Sequence, residues 1–181
     1  MIFSKIPLTP PEGTFRMKVR KKQMDEGVKK KVLRMLTYGL YIVGVRDHST
    51  VHAFTGTWFS QASFKPPLVM LGVSGEGRSA HMVKESRVFS VSILGTGQKE
   101  IAQTFFKCPE PKDGKFGGVS FEKGANGCPI LTEAPAFLEC HVVETVERGD
   151  HLVVIGEVVG AGVKKEMAPL ALSETPWKYG G

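Results

Sequence analysis

TGTWFSQASFKPP, residues 55–67, runs directly into the apolar sequence LVMLGV, residues 68–73. The first part is rich in threonine and serine, whose hydroxyl groups donate and accept hydrogen bonds and therefore suit ligand oxygens. The two prolines fix the backbone at the point where a strand begins. The unbroken apolar sequence then predicts a strand with both of its faces covered. We therefore expect a buried strand that is preceded by a polar binding segment.

A turn follows the predicted strand at once. Its sequence is GEGRSA, residues 75–80, and a helix is predicted to begin within it. Arg78 would supply a guanidinium group, Ser79 a hydroxyl group, and the first helical turn free backbone N–H groups. This combination can bind an anion such as a phosphate. An ordinary helix start with a surface arginine would have the same sequence, so both interpretations stay open.

Three motifs in this order resemble one protein family. They are SFKPPLV at residues 63–69, the hydroxyl-containing turn at 75–80, and GDH at 149–151. Together they are similar to the flavin reductase-like family of FMN-binding split barrels, of the flavoredoxin and NAD(P)H:flavin oxidoreductase type. The resemblance covers roughly residues 33–179, and it implies a homodimer with flavin near the subunit interface.

The resemblance also implies a flavin site. FMN, as a bound cofactor or an exchanging substrate, would contact the central segment through its ring and the turn through its phosphate. NADH or NADPH would donate a hydride to flavin N5. The residues predicted to bind the cofactor are Thr55, Thr57, Trp58, Phe59, Ser60, Gln61, Ala62, Ser63, Arg78, Ser79, Ala80, Phe106 and Lys107.

His151 is the predicted catalytic residue. It follows Gly149 and Asp150, and the resemblance implies a position near the nicotinamide. Because histidine ionises near neutral pH, His151 could orient the nicotinamide amide or deliver a proton. A turn histidine without a chemical role fits the same sequence equally well, since Asp150 can close the turn by itself.

The remaining sequence predicts a single mainly β domain over residues 1–181. Six strands and two short helices indicate a closed or nearly closed antiparallel barrel. The resemblance implies the same architecture, a six-stranded antiparallel Greek-key split barrel with short helical insertions. A long loop is expected at 107–126, and an extended basic arm at 1–31. The predicted strands cover residues 36–46, 51–57, 68–74, 88–94, 136–146 and 151–159, and the predicted helices cover 78–86 and 97–106.

The positive charge is concentrated near the N-terminus. The formal net charge is +6, but residues 16–34 hold nine Lys and Arg against two acidic residues, so the rest is close to neutral. Such an arm can bind nucleic acid or an anionic surface. A solvated face is the commoner explanation, and no aromatic residues alternate with the charges as in single-strand binders. Nucleic acid is therefore an unlikely partner.

Other functional classes find little support. The cysteines Cys108, Cys128 and Cys140 are odd in number and fit neither a disulfide framework nor a zinc site, and we expect no metal. Free thiols and the absence of a signal-peptide pattern or a membrane span predict a cytoplasmic location. The first hypothesis is therefore a flavin reductase. The alternative is an FMN electron-transfer module that exchanges electrons with a protein donor or acceptor.

Overall fold

The computed structural model describes residues 24–180, which form a mainly β structure. The helices in this range are α1 (Glu26–Leu33), α2 (Arg78–Ser86) and α3 (Lys99–Thr104), with 3-10 turns at Phe105–Lys107 and Leu172–Glu174. The strands are β1 (Tyr41–Arg46), β2 (Val51–Gly56), β3 (Phe59–Ser63), β4 (Leu68–Ser74), β5 (Val88–Ile93), β6 (Pro111–Lys112), β7 (Lys115–Phe116), β8 (Val119–Lys123), β9 (Pro129–Leu131), β10 (Ala136–Glu147) and β11 (His151–Val163).

Seven strands form one antiparallel sheet, in the order β2-β1-β5-β10-β11-β4-β3. The edge strands β2 and β3 are consecutive in the chain, and only Thr57 and Trp58 join them. Because three backbone steps span at most about 11 Å, the two edges must lie close together and the sheet must curve round. A smaller sheet contains β6 to β9. The predicted mainly β class is confirmed, with more strands than the six expected.

The predicted hairpin of β1 and β2 turns at Asp47. The Asp47 carboxylate accepts hydrogen bonds from the N–H groups of Ser49 and Thr50, both at 2.8 Å. These bonds to the charged form keep the pKa of Asp47 below its ordinary value. The turn sets the strand register, in which Tyr41 lies opposite Gly56. This register fixes where the connection at Thr57 begins.

Two groups of buried side chains form the core. One fills the curved sheet and includes Val43, Leu71 and Phe89, whereas the other includes Phe105 and Phe116 beside the smaller sheet. The two sheets meet closely at Gly44, where an added Cβ atom would lie 2.2 Å from the carbonyl oxygen of Pro129. A glycine is therefore required at this contact between β1 and β9.

Several element predictions need correction. β3 was not predicted, and β4 is not covered on both faces, because alternate residues such as Met70 point outward with 38% of Met70 exposed. The expected loop at 107–126 holds the short strands β6, β7 and β8. Asp113 and Gly114 have positive φ values and close the first of these hairpins. The strands were not predicted because the high glycine and lysine content of this segment is typical of a loop.

The predicted extended arm is wrong where the structure can be compared with it. Residues 1–23 lie outside the described residues, but α1 begins at Glu26 with Asp25 as its N-cap. The Asp25 carboxylate accepts a hydrogen bond from Val28 N–H at 3.0 Å, which satisfies a free donor of the first turn. Within residues 24–180, no helix is long and apolar enough to span a bilayer.

Candidate functional site

A cavity of about 730 Å³ opens where the β2–β3 connection meets the start of α2. Its other walls come from β4, the 3-10 turn after α3, the start of β11 and the C-terminal segment. The volume lies in the range of sites that bind cofactors and other small molecules. We call this space the flavin cavity, after the flavin site that the resemblance implies.

The start of α2 forms one wall of the flavin cavity. Gly77 is the N-cap, and as a glycine it has no side chain that could cap the first N–H groups of the helix. Gly77, Arg78 and Ser79 all line the cavity. The Arg78 guanidinium donates a hydrogen bond to the Glu110 carboxylate at 2.7 Å. An uncapped helix start beside a guanidinium group and a hydroxyl group has the donors that a phosphate requires.

The β2–β3 connection forms a second wall, which contains Thr55, Thr57 and Trp58. The Thr55 hydroxyl donates to the carbonyl oxygen of Ala102 at 2.7 Å and so ties β2 to α3. The carbonyl oxygen of Trp58 accepts a hydrogen bond from Gly72 N–H at 2.8 Å. An added Cβ atom at Gly72 would lie 3.0 Å from the Trp58 ring. The connection is therefore held rigidly against β4 and α3.

Three buried polar atoms at this site have no hydrogen-bond partner among the described residues. They are His52 Nδ1, Thr57 Oγ1 and Trp58 Nε1, and all three side chains line the flavin cavity. Burial, followed by the charge of Arg78, lowers the pKa of His52, so its imidazole favours the neutral form. Because unsatisfied buried polar groups are costly, this cluster fits a polar ligand that completes their hydrogen bonds.

His151 lies at a third wall of the cavity and contacts three neighbours. Its Nδ1 is 2.9 Å from the Asp150 carboxylate, and its Nε2 is 3.3 Å from the Tyr179 hydroxyl. Its ring packs on Trp58 with the ring centroids 4.3 Å apart. The hydrogen bond from His151 lowers the pKa of Asp150, and burial raises that of Tyr179. This arrangement holds the imidazole in one orientation.

Apolar side chains cover much of the remaining cavity wall. Phe54, Phe105 and Phe106 line it, and Phe106 packs edge-on against Trp177 with ring centroids 4.7 Å apart. An apolar slot with a few polar groups suits a large aromatic ring that carries oxygen and nitrogen atoms at its edge.

The structure brings together about half of the residues predicted from the sequence. Thr55, Thr57, Trp58, Arg78, Ser79, Phe106 and His151 line the cavity, whereas Phe59, Ser60, Gln61, Ala62, Ser63, Ala80 and Lys107 do not. Phe59 packs on Tyr41, with ring centroids 5.0 Å apart. Ala80 is buried in the core, and Lys107 is exposed. Among the described residues, no group of three potential metal ligands is clustered.

Sequence reasoning missed several residues of this site. His52 and Cys108 line the cavity, as do Trp177, Lys178 and Tyr179 of the C-terminal segment. Burial raises the pKa of the Cys108 thiol, which does not favour a thiolate. The aromatic residues near the C-terminus were the available signal, because exposed chain ends rarely carry two large aromatic side chains without a packing role.

One known protein family matches most of this chain. The flavin reductase like domain matches residues 33–176. The chain belongs to this family. The predicted resemblance is thereby confirmed. Among its relatives is the protein named diflavin flavoprotein A 1, from Synechocystis sp.. It is 33% identical to this chain over 145 residues, which are 80% of this chain. The chain spans only about a quarter to a third of the length of such curated relatives.

Two solved structures are similar over most of their length. The NADH:FAD oxidoreductase SgcE6 of Streptomyces globisporus C-1027 is 29% identical, with a TM-score of 0.68 over 75% of this chain and 81% of that one. A second SgcE6 structure contains NAD and FAD fragments. The styrene monooxygenase flavin reductase of Pseudomonas putida S12 is also 29% identical, with a TM-score of 0.66 over 78% and 89% of the two chains. The predicted split-barrel class is confirmed.

Proposed function

We propose that this protein is an NAD(P)H-dependent flavin reductase that binds FMN in the flavin cavity. One observation carries the proposal. The cavity joins the uncapped start of α2 to three buried polar atoms that have no partner among the described residues. Family membership and the redox enzymes SgcE6 and styrene monooxygenase flavin reductase support the same activity.

Arg78 and Ser79 would hold the phosphate of FMN. The guanidinium group and the hydroxyl group both face the cavity, and the α2 dipole favours negative charge at the same point. Glu110 neutralises Arg78 at 2.7 Å, so a bound phosphate must displace or share this contact. On binding of the phosphate, Arg78 would therefore exchange the Glu110 carboxylate for another anion. Such an exchange suits a ligand that binds reversibly.

The aromatic ring of FMN would lie between the apolar wall and the β2–β3 connection. His52 and Thr57 would complete their hydrogen bonds on the polar edge of the ring. The flavin, when bound, supplies the redox chemistry by accepting a hydride from the nicotinamide at N5. The chain's own part is to fix the ring and exclude water from one side.

His151 would position the nicotinamide or hold a proton beside it. In the tautomer whose Nδ1–H donates to the Asp150 carboxylate, Nε2 accepts a hydrogen bond from the Tyr179 hydroxyl. Tyr179 could thus pass a proton to Nε2 without movement of the ring. This chain of three side chains would connect the cavity to the exposed carboxylate of Asp150.

A homodimer, as the resemblance implies, would also cover apolar surface that one chain leaves exposed. The large apolar side chains Met70, Val143, Val146, Val159 and Val163 are exposed on the neighbouring strands β4, β10 and β11. Such a patch is a common sign of a subunit interface. We further propose that reduced flavin or its electrons pass to a partner oxygenase or electron carrier, and that the protein works in the cytoplasm.

An anaerobic mixture of protein, excess FMN and NADH or NADPH tests the proposal. Loss of the visible flavin absorbance through many turnovers per protein is the expected result, and the faster nucleotide identifies the donor. Slow bleaching of tightly bound FMN would instead indicate an electron-transfer module that needs a protein donor. Absence of FMN binding would reject the flavin assignment of the cavity.

A further inference from the structure

A second cavity of about 590 Å³ lies beside the flavin cavity, and we call it the basic groove. One wall consists of α1 and the residues that follow it, including Lys30, Lys31 and Arg34. The opposite wall is the C-terminal segment, which includes Lys178. Both walls are therefore supplied by the two ends of the described chain.

The groove is strongly positive. Four cationic side chains line it, namely Lys30, Lys31, Arg34 and Lys178, and no carboxylate among the described residues does so. Lys29 of the same helix pairs with Glu26, whereas Lys30 and Lys31 make no ion pair within residues 24–180. Uncompensated cations around one concave surface attract anionic ligands, and phosphates in particular.

The basic groove adjoins the flavin cavity along a shared wall. Leu172, Trp177, Lys178 and Tyr179 line both spaces. Trp177 contacts Phe106 of the flavin cavity, and Tyr179 lies 3.3 Å from His151 Nε2. A ligand whose redox ring lies beside His151 would reach the groove by passing over these shared side chains.

Part of the groove is built from residues outside the family domain. The flavin reductase like domain matches residues 33–176. Lys30 and Lys31 precede that range, and Trp177, Lys178 and Tyr179 follow it. The Arg34 guanidinium ties the two walls together, because its Nε donates a hydrogen bond to the carbonyl oxygen of Gly180 at 3.0 Å. The two walls of the groove thus include residues on either side of the matched range 33–176. The hydrogen bond from Arg34 to Gly180 holds these walls together.

We propose that the basic groove binds the adenosine diphosphate half of a dinucleotide whose redox ring lies in the flavin cavity. This inference rests on the proposed function. Lys30, Lys31, Arg34 and Lys178 would contact the phosphates, and the half-buried Trp177 would pack on the adenine. NADH, NADPH and FAD all carry this half, whereas FMN does not, so FMN serves as the reference ligand.

ADP is the direct probe of the groove. We expect Lys30→Gln combined with Lys31→Gln to weaken ADP binding about tenfold in calorimetry, because each exposed cation contributes modestly to phosphate binding. The matched control, Lys123→Gln with Lys165→Gln, removes the same charge from exposed positions outside both cavities. Equal ADP affinity in all three proteins would overturn the proposal, and so would an equal loss in the control.

Dinucleotides identify which source of ADP the groove serves. A raised KM for NADH or NADPH, with FMN as the flavin, assigns the groove to the nicotinamide donor. A raised Kd for FAD, with an unchanged Kd for FMN, assigns it to the flavin. If ADP binding responds to the substitutions while FMN does not bind at all, the groove stands and the proposed function fails. If FMN is reduced normally but neither ADP nor any dinucleotide responds, only the groove assignment fails.

Discussion

Residues 55–58 and 59–63 form one continuous hydroxyl-rich segment, yet the structure separates them. The first group lines the flavin cavity, whereas the second is β3 and lies at the sheet edge. Thr57 is 9% exposed and its hydroxyl group has no partner within residues 24–180, while Ser60 is exposed and its hydroxyl group donates to Gln61 O at 3.2 Å. Residue type therefore does not locate a binding site unless the backbone carries those residues into the same space.

Strand geometry explains the difference between the two groups. Beyond Trp58 the chain pairs with β4, with Ser60 opposite Met70, and it continues as an edge strand of the sheet. The side chain of Gln61 also bonds within β3, because its amide donates a hydrogen bond to the carbonyl oxygen of Ser63 at 3.3 Å. The side chains of Ser60 and Gln61 thus bond within β3, whereas three polar atoms at the cavity have no partner among the described residues.

Removal of the phosphate donors should have the largest effect. Arg78→Ala combined with Ser79→Ala should weaken FMN binding about 100-fold or more, because each hydrogen bond to a charged group contributes about 1.5–3 kcal/mol. Flavin fluorescence in an FMN titration gives the Kd. The matched pair on β3, Ser60→Ala with Ser63→Ala, should leave the Kd within twofold. A large loss from the β3 pair would show that the flavin extends beyond the cavity.

Substitution of His151 should affect the reaction more than binding. We expect His151→Gln to slow anaerobic flavin reduction about 10- to 100-fold, since positioned proton-transfer groups contribute at least that much. Tyr179→Phe should slow it only a few-fold, because the imidazole keeps its Asp150 contact. Stopped-flow reduction rates at saturating FMN measure both effects. Unchanged rates in His151→Gln would remove this residue from the mechanism.

The smallest expected effect is on stability and involves His52. Its pKa is lower in the folded protein than the ordinary value near 6.5. The unfolded chain therefore binds a proton at His52 more readily than the folded protein does. The stability that neutral His52 contributes is fully present above pH 6.5, and it is lost as the pH falls from there through the pKa of the folded protein. The Tm of the wild type should fall more steeply below pH 6.5 than that of His52→Gln. Parallel curves of Tm against pH for the two proteins would contradict this prediction. β3 has no ionisable side chain and so contributes no pH dependence of its own.

The sequence predicted much of the fold because its strands alternate or are strongly apolar. α2 was predicted with the observed bounds, and β10 and β11 nearly so. β3 was missed, because FSQAS has weak periodicity and its edge position needs no buried face. His52 and the C-terminal aromatic residues were missed as site residues for another reason. Their place at the cavity depends on long-range packing, which no local pattern encodes.

A crystal structure of the protein with FMN would test the central claim most directly. The account predicts the phosphate at Arg78, Ser79 and the start of α2, with the ring against Thr57 and His52. The β3 side chains Ser60 and Gln61 would then make no contact with the flavin in the same chain. A flavin bound along β3, with the cavity residues still lacking partners, would contradict the account.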